Sequence, residues 1–306
     1  MTLKPVHFFK NYEVSALAWA IRSAPLMANG GEIEFVGEEW CEEMFQLHLE
    51  WLKDLDADPL PLRNFLQQEN AVLIGKKFEL LLAYWFLHSP KFRMVARNIV
   101  LSEHRNTKAE IDFIVEDIEA GTLMHLEVAC KYYLQMNGSR HWKDWPGPNG
   151  NDSLLNKMQK LSKQTAVFDT TAGRRYLAEN GLPRPHSYAF MKGIFFHHFA
   201  DIQRAVPPVG AHRHYNSGWY CFIHELTHFA GNVPQWIILP SWLWMCPYAF
   251  GEVEETLLTG SELPDYCLQM INKRGKSLMI VQVAFVEGLY IEVSRGMVLS
   301  DRFSIK

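Results

Sequence analysis

The sequence predicts an α/β protein. Three observations lead there. A long apolar run with helical character spans residues 71–88, short β-rich runs separated by polar turns follow it directly, and a further helix and strand come after a Gly- and Pro-rich loop. The predicted order is helix, three strands, helix, strand.

The elements follow in chain order. Residues 13–27 place Val14, Leu17, Ala18 and Ile21 at helical spacing, and residues 39–54 continue in the same manner. "DLDADPLPLRNFL" breaks the pattern with Asp and Pro and starts a new helix around Pro61. "AVLIGKKFELLLAYWFLH" is the strongest helix, and Ser89-Pro90 ends it, because proline disfavours the helical conformation of the residue before it. "RMVARNIVLSE", "EIDFIVED" and "TLMHLEVACKYYL", joined by "HRNTK" and "IEAGT", read as an antiparallel meander. After the loop "NGSRHWKDWPGPNGND" a helix is expected over 152–168, capped by Asp152 or Ser153. "YAFMKGIFFHHF" is the next strand. In the last third, "WIILPSWLWMCPY" is apolar, and "SLMIVQVAFVEGLYIEVSRGMVL" is a hairpin or meander turning at Glu287-Gly288. "AVPPVGAHRHYNSG" (205–218) is the best linker candidate. The division expected is a helical segment over 1–70, a core over 71–204 and a C-terminal accessory region of mixed α+β structure over 205–306.

With 306 residues, 48% hydrophobic and 21% charged, the chain has material for a large core. The net charge of −4 lacks the basic excess of a typical nucleic-acid-binding domain, so any phosphate contact must come from a local patch. Five cysteines, an odd number with no CxxC pair, argue for reduced thiols rather than a disulfide scaffold or zinc ribbon. No run reaches the ~20 apolar residues that span a bilayer, and the N-terminus lacks signal-peptide features. The expectation is a cytoplasmic protein with no membrane partner.

The chemistry concentrates on the third β-rich run. Side chains alternate along a strand, so His125, Glu127, Ala129, Lys131 and Tyr133 share one face, and Leu126, Val128, Cys130, Tyr132 and Leu134 the other. An acid and an ammonium therefore sit on one face of an otherwise apolar strand. On the preceding strand Asp112 and Ile114 oppose Ile111, Phe113 and Val115, and pairing of the two strands lets Asp112 meet Glu127. On the long helix Glu79 lies among Val72, Gly75, Leu82, Ala83 and Phe86, a core-facing side where an ionised carboxylate needs a partner or a cation. Gly75 is expected to admit a close backbone neighbour. Three carboxylates suit a hard cation such as Mg²⁺, and a lysine beside them can hold a phosphate oxygen.

In these residues the chain resembles the PD-(D/E)XK nuclease superfamily, which carries a helix glutamate and then D…ExK on consecutive strands. Within it the sequence is similar to an uncharacterised bacterial family, domain of unknown function 1853. The matching words are "LDADPLPL", "GKKFELLLAYWFLHSPKFRMVARNI", "AEIDFIV", "HLEVACKYYL", "WPGPNGNDSLLNKMQKL", "GWYCFIHEL" and "WIILPSWLWMCPY", in order over residues 55–250. The resemblance implies a restriction-endonuclease-like α-β-β-β-α-β core and divalent-metal-dependent hydrolysis of phosphodiester bonds, in DNA ahead of RNA. It implies Glu79, Asp112 and Glu127 as ligands of Mg²⁺ or Mn²⁺, and Lys131 as the catalytic lysine. The superfamily lysine stands two residues after the acid, where this chain has Ala129. Lys131 is two residues further, on the same face and about one pleat (~6.6 Å) along. On the next helix Lys157 and Gln164 share a side, and some superfamily branches carry Q-x-x-x-Y there. Here Gln164 is followed by Phe168.

Other readings of the same residues stand beside this one. A solvated, ion-paired sheet face explains a Glu–Lys strand, and Glu79 would then pair with Lys76 or Arg97. A catalytically inactive nucleic-acid-binding or scaffold protein on the nuclease fold is the alternative function. "HELTH" (His224, Glu225, His228) matches the HExxH zinc-peptidase pattern, although Pro234 stands where a third histidine would be and Glu252 or Glu254 would have to replace it. His197, His198, His212 and His214 are dense enough for a transition-metal site or are ordinary loop histidines. In "SRHWKDWPGPNG", Arg140, His141, Trp142, Lys143 and Trp145 interleave basic and aromatic residues, either to stack bases and hold phosphates or to anchor the loop on the core. Trp142 and Lys143 are the substrate-binding candidates.

Overall fold

The three-strand meander and the helix before it form the part of the molecule that positions the site. The computed structural model describes residues 9–69, 73–103, 106–231, 235–251 and 255–305. Four helices lead in: α1 (Tyr12–Arg22), α2 (Glu38–Leu47), α3 (Leu49–Ala57) and α4 (Leu60–Gln68). The long helix α5 (Ile74–His88) follows, then β1 (Phe92–Glu103), β2 (Asn106–Asp117) and β3 (Thr122–Leu134). Next come α6 (Leu154–Thr165), α7 (Thr171–Glu179) and β4 (His186–His198). The remaining elements are β5 (Ser217–Phe222), α8 (Thr227–Ala230), β6 (Trp236–Leu239), β7 (Ala249–Phe250), β8 (Leu257–Leu258), α9 (Leu263–Arg274), β9 (Leu278–Val286) and β10 (Leu289–Leu299).

The strands form a ten-stranded mixed sheet in the order β1-β2-β3-β4-β5-β10-β9-β6-β8, with β7 also paired to β10. β1, β2 and β3 are antiparallel neighbours, whereas β3, β4 and β5 run parallel. A parallel pair needs a crossover, which α6 and α7 provide between β3 and β4. The sheet continues without a break across 205–216: β5 pairs with β4 on one side and β10 on the other. That segment is tied to the N-terminal part through Ala28 N–H and Asn29 N–H, which both donate to the Gly210 carbonyl at 2.9 and 3.0 Å. The β9–β10 hairpin turns at Glu287 and Gly288, whose φ values of 51° and 84° match the two left-handed positions of a tight hairpin turn.

The alternation expected on β3 holds. Leu126, Val128, Cys130, Tyr132 and Leu134 join the core built with α1 to α5, while Ala129 and Tyr133 pack with Leu154, Met158 and Leu161 of α6. The N-terminal helices therefore cover one face and α6 the other. A third cluster sets Val167, Phe168, Ala172 and Leu177 against Leu101, Ile111 and Ile114.

Several expectations need correction. The helix expected over 39–54 is divided at His48, whose buried ring bonds the Met44 carbonyl at 2.7 Å through Nδ1 and Ser89 Oγ at 2.7 Å through Nε2. The helix expected over 152–168 stops at Thr165, and α7 was not foreseen. Ser153 caps α6, accepting the Asn156 N–H at 3.2 Å. α7 is capped in the same way by Thr170. Gly75 is exposed and a Cβ there would meet nothing within 4 Å, so among the described residues no backbone uses the space. The wheel position Val72 lies outside the described residues. All five cysteines are free and buried. Among the described residues no helix is long and apolar enough to cross a membrane.

Candidate functional site

The β2–β3 ladder runs from Asp117 opposite Thr122 to Phe113 opposite Leu126, and there it stops. Beyond that fork the strands' backbone groups need other partners, and two carboxylates supply them. Asp112 Oδ2 accepts the Val128 N–H at 2.9 Å, and Glu127 Oε1 accepts the Asp112 N–H at 3.4 Å. Each acid thus reaches across to the other's strand. β1 is kinked at the same level. The pairs Arg97–Phe113 and Ile99–Ile111 put Asn98 opposite Asp112, and Asn98 has a left-handed φ of 53°. β2 changes face here. Phe113 and Val115 point to the α5 side, but Ile111 packs with Ile114, so the expected grouping of Ile111 with Phe113 and Val115 fails at the level of Asn98.

Glu127 is fully buried, and so is His125 two residues before it on the same face. The His125 Nε2–H donates to Glu127 Oε1 at 3.0 Å, and Ser187 Oγ donates to Nδ1 at 3.0 Å. Burial lowers the His125 pKa to about 4, with Asp112 pulling the other way, so this imidazole is neutral and supplies no charge. Glu127 Oε2 has no hydrogen-bond partner. An uncompensated buried carboxylate costs several kcal/mol, and the group responds by holding its proton. Burial pushes Glu127 up to about 7, against the Asp112 hydrogen bonds and the charge of Lys157. Asp112 is also pushed up to about 7, by burial and then by the charge of Glu127, with the Val128 N–H opposing.

The fork opens into a cleft of about 510 Å³ lined by Glu79, Glu110, Asp112, Lys131, Asp152, Lys157, Lys160, Gln164 and Trp244. That is within the size range of small-ligand sites. Glu127 lies outside this lining, buried beside Asp112. Glu79 reaches the cleft from α5, but its carboxylate is held by Lys76 Nζ at 2.6 Å. Its oxygens and those of Asp112 and Glu127 do not come within 4.8 Å of one another as a trio. The expectation that the three acids converge is thus corrected to a close pair with a third acid in the same cleft. Lys131 Nζ pairs with Asp152 at 2.5 Å. The cation coupled to both acids is Lys157, one turn into α6; burial and the charge of Lys131 lower its pKa to about 8, while Asp112 and Glu127 raise it. Gln164, two turns on, is buried with its Oε1 unpartnered.

A family model described as Domain of unknown function (DUF1853) matches residues 15–299. The chain belongs to this family. No curated protein and no solved structure matches the chain.

In this DUF1853 member the remaining candidates lie elsewhere. Trp142 and Lys143 do not reach the acid-lined cleft. They line a separate groove with Arg140, His141, Leu155 and Val209, and the Trp142 indole donates to the Val209 carbonyl at 2.7 Å, which anchors the loop. The HExxH residues do not share one helix. Ile223–Glu225 is a 3-10 turn, and α8 begins only at Thr227. His224 Nδ1 is paired with Asp301 at 2.6 Å. Glu225 accepts the Phe222 N–H at 2.7 Å and meets His198 at 3.1 Å. Pro234, Glu252 and Glu254 lie outside the described residues.

Sequence reasoning leaves out Glu110, Lys160 and Trp244 of the cleft lining, and gives Asp152 and the buried His125 no part in the site. His125 stood on the face of Glu127 at the strand period, and that spacing was the signal for it. Asp152 carries the sequence signature of a helix cap, which masks its role beside Lys131. Lys160, three residues after Lys157 on one helix face, follows from the same spacing that singled out Lys157.

Proposed function

We propose that this chain is a divalent-metal-dependent nuclease of PD-(D/E)XK type that hydrolyses phosphodiester bonds, with DNA ahead of RNA as the substrate to test. The observation behind the reading is the fork, where Asp112 and Glu127 exchange backbone hydrogen bonds beside an orphaned Glu127 Oε2 and open on a cleft with three lysines. The order α5-β1-β2-β3-α6-β4, with α7 added between α6 and β4, fits a restriction-endonuclease-like core.

The donor set fits a hard cation. The oxygens available are the carboxylates of Asp112 and Glu127, with Glu127 Oε2 buried and unpartnered, and the ammonium that acts on both acids, Lys157, makes no hydrogen bond to either. Asp112 and Glu127 would hold Mg²⁺ or Mn²⁺, with Glu79 able to join when it leaves Lys76. Such an ion, when bound, lowers the pKa of water and offsets charge that builds on a phosphate. The chain's own residues do the rest. Neutral His125, held by Ser187, fixes the Glu127 carboxylate without competing for charge. Lys157 and Lys160 hold phosphate oxygens, and a pKa of about 8 leaves Lys157 mostly protonated near neutrality yet able to give its proton up. Lys131 reaches a phosphate after exchanging Asp152 for it.

That last exchange favours the second reading, a binding protein on the same fold whose lysine is locked to Asp152. One experiment separates them. Labelled single- and double-stranded DNA and RNA are incubated with the protein in EDTA, Mg²⁺ or Mn²⁺, alongside Glu127→Ala, Lys157→Ala and Lys131→Ala. Metal-dependent cleavage lost in Glu127→Ala supports the nuclease. Binding to nucleic acid with no cleavage in any metal supports the second reading, and cleavage that survives Glu127→Ala overturns the site.

A further inference from the structure

We propose that Glu38, His212 and His214 form a binding site for a divalent transition-metal ion of the zinc class, separate from the acid-lined cleft. Glu38 is the first residue of α2, and the two histidines belong to the β4–β5 connection. The fold brings them together across more than 170 positions of sequence: one ligand atom from each lies within 4.8 Å of the others. Glu38 Oε2 is 2.6 Å from His214 Nδ1 and 3.8 Å from His212 Nε2. Among the described residues no other trio of His, Cys, Asp or Glu is gathered this closely.

The backbone around the trio is fixed before any ion arrives. The His212 N–H donates to the Leu26 carbonyl at 3.1 Å, and the Tyr215 N–H to the His212 carbonyl at 3.2 Å. Gly210, with φ of 79°, passes so near Asn29 that a Cβ would overlap its carbonyl. A rigid support of this kind lowers the ordering cost of a metal site. His212 is mostly covered while Glu38 and His214 are more open, which leaves access and free positions for water.

The ligand set selects the class of ion. Two imidazoles and one carboxylate suit zinc and its neighbours, whereas Mg²⁺ and Ca²⁺ take oxygen. A simple ion pair needs only His214 against Glu38; the second imidazole aimed at the same oxygen is explained by a shared cation. Ligation requires two local changes. Tetrahedral bonds of about 2.0–2.1 Å separate ligand atoms by about 3.3 Å, so Glu38 and His214 move apart slightly and the proton between them leaves to solvent. A metal on His212 Nε2 places the ring proton on Nδ1, which then gives up its 3.2 Å contact with the His214 N–H.

The test is a titration of the metal-free full-length chain with Zn²⁺, and with Co²⁺ read by its visible absorption, under chelator competition. The variants are Glu38→Gln, His212→Ala, His214→Ala and, as a control for the other site, Asp112→Asn. The expected result is saturable binding with a cobalt spectrum of low coordination number, and a stoichiometry of one ion per chain in Asp112→Asn, where the acid-lined cleft no longer contributes. Affinity should fall by more than about 100-fold in each of the three variants, beyond the 10–100-fold typical of outer-shell changes, and stay unchanged in Asp112→Asn. If His212→Ala fails to fold, the exposed His214→Gln gives the same reading. Binding that His214→Ala leaves intact, binding lost instead in Asp112→Asn, or no saturable binding at all overturns the proposal.

Discussion

Glu127 on β3 and Glu292 on β10 are buried carboxylates of one sheet, and the molecule treats them in opposite ways. Arg295 grips Glu292 through Nε at 2.8 Å and Nη2 at 2.7 Å, and the Tyr248 N–H donates to the same carboxylate at 2.8 Å. The guanidinium also donates to the carbonyls of Trp244 and Cys246. Donors and acceptors close on each other, and the pair pins the 244–248 segment to β10. Glu127 has a neutral imidazole and the Asp112 N–H on one oxygen and no hydrogen-bond donor on the other. Burial alone therefore says little about role. A buried acid whose partners are complete is part of the scaffold, and one left incomplete is a place for something from outside.

Four predictions break or sharpen that contrast. The largest effect is expected at the closed pair. Arg295→Met strands Glu292 and should cost about 3–5 kcal/mol in urea denaturation, while adding Glu292→Leu should restore most of the loss. A single change costing under ~1 kcal/mol would mean the pair is not what holds the segment.

The open acid should behave with the opposite sign. The Glu127 pKa is raised from 4.5 to about 7, so its protonated form stabilises the fold below pH 4.5, and that stability is lost as pH rises through about 7. Glu127→Gln, which never ionises, should gain on the native protein with rising pH, by on the order of 3 kcal/mol at pH 8 and by little near pH 4. Equal pH profiles for the two proteins would remove the argument that this acid is unsatisfied.

Filling the open site should have nearly the same size. At pH 8 Mn²⁺ at a hundred times its Kd should stabilise the native protein by about 2.7 kcal/mol, read as a rise in Tm, and Asp112→Asn should abolish the rise. Affinity should increase through pH 7 as both acids lose their protons. The smallest effect separates the lysines. In the cleavage assay Lys157→Ala should cost at least about tenfold, ~1.4 kcal/mol, and Lys131→Ala less, because Asp152 already occupies Lys131. The reverse ranking would return the catalytic role to Lys131.

The two acids also differ in how far they could be read in advance. The strand period placed Glu127, Lys131 and the apolar face of β3 correctly, because β3 is regular over its whole length. The meander, α5 and the turn at Glu287-Gly288 were legible for the same reason: each depends on local pattern. Glu292 and Arg295, three apart, should lie on opposite faces of a strand. A bulge between Glu292 and Ser294 inserts Val293 and brings them to one side, and no residue pattern announced it. Ile111 likewise packs with Ile114 rather than Phe113, at the level of the left-handed Asn98 on the neighbouring strand. Ion-pair choice was legible only in part. Pairing of Glu79 with Lys76 was one of two options read from the helix, but Asp152 reaches Lys131 through a loop whose path only the fold defines.

The strand order has a consequence for how the chain is made. β10 lies between β5 and β9, so the central gap of the sheet is filled by a strand synthesised well after β5. At roughly 5–20 residues per second, the 77 positions from Phe222 to Leu299 take about 4–15 s to translate. Throughout that interval β5 has one bare hydrogen-bonding edge and the apolar residues Trp219 and Cys221 lack their β10 neighbours. A nascent chain stalled before residue 289 would therefore be a target for chaperones and a seed for aggregation, although β1 to β4 are already synthesised.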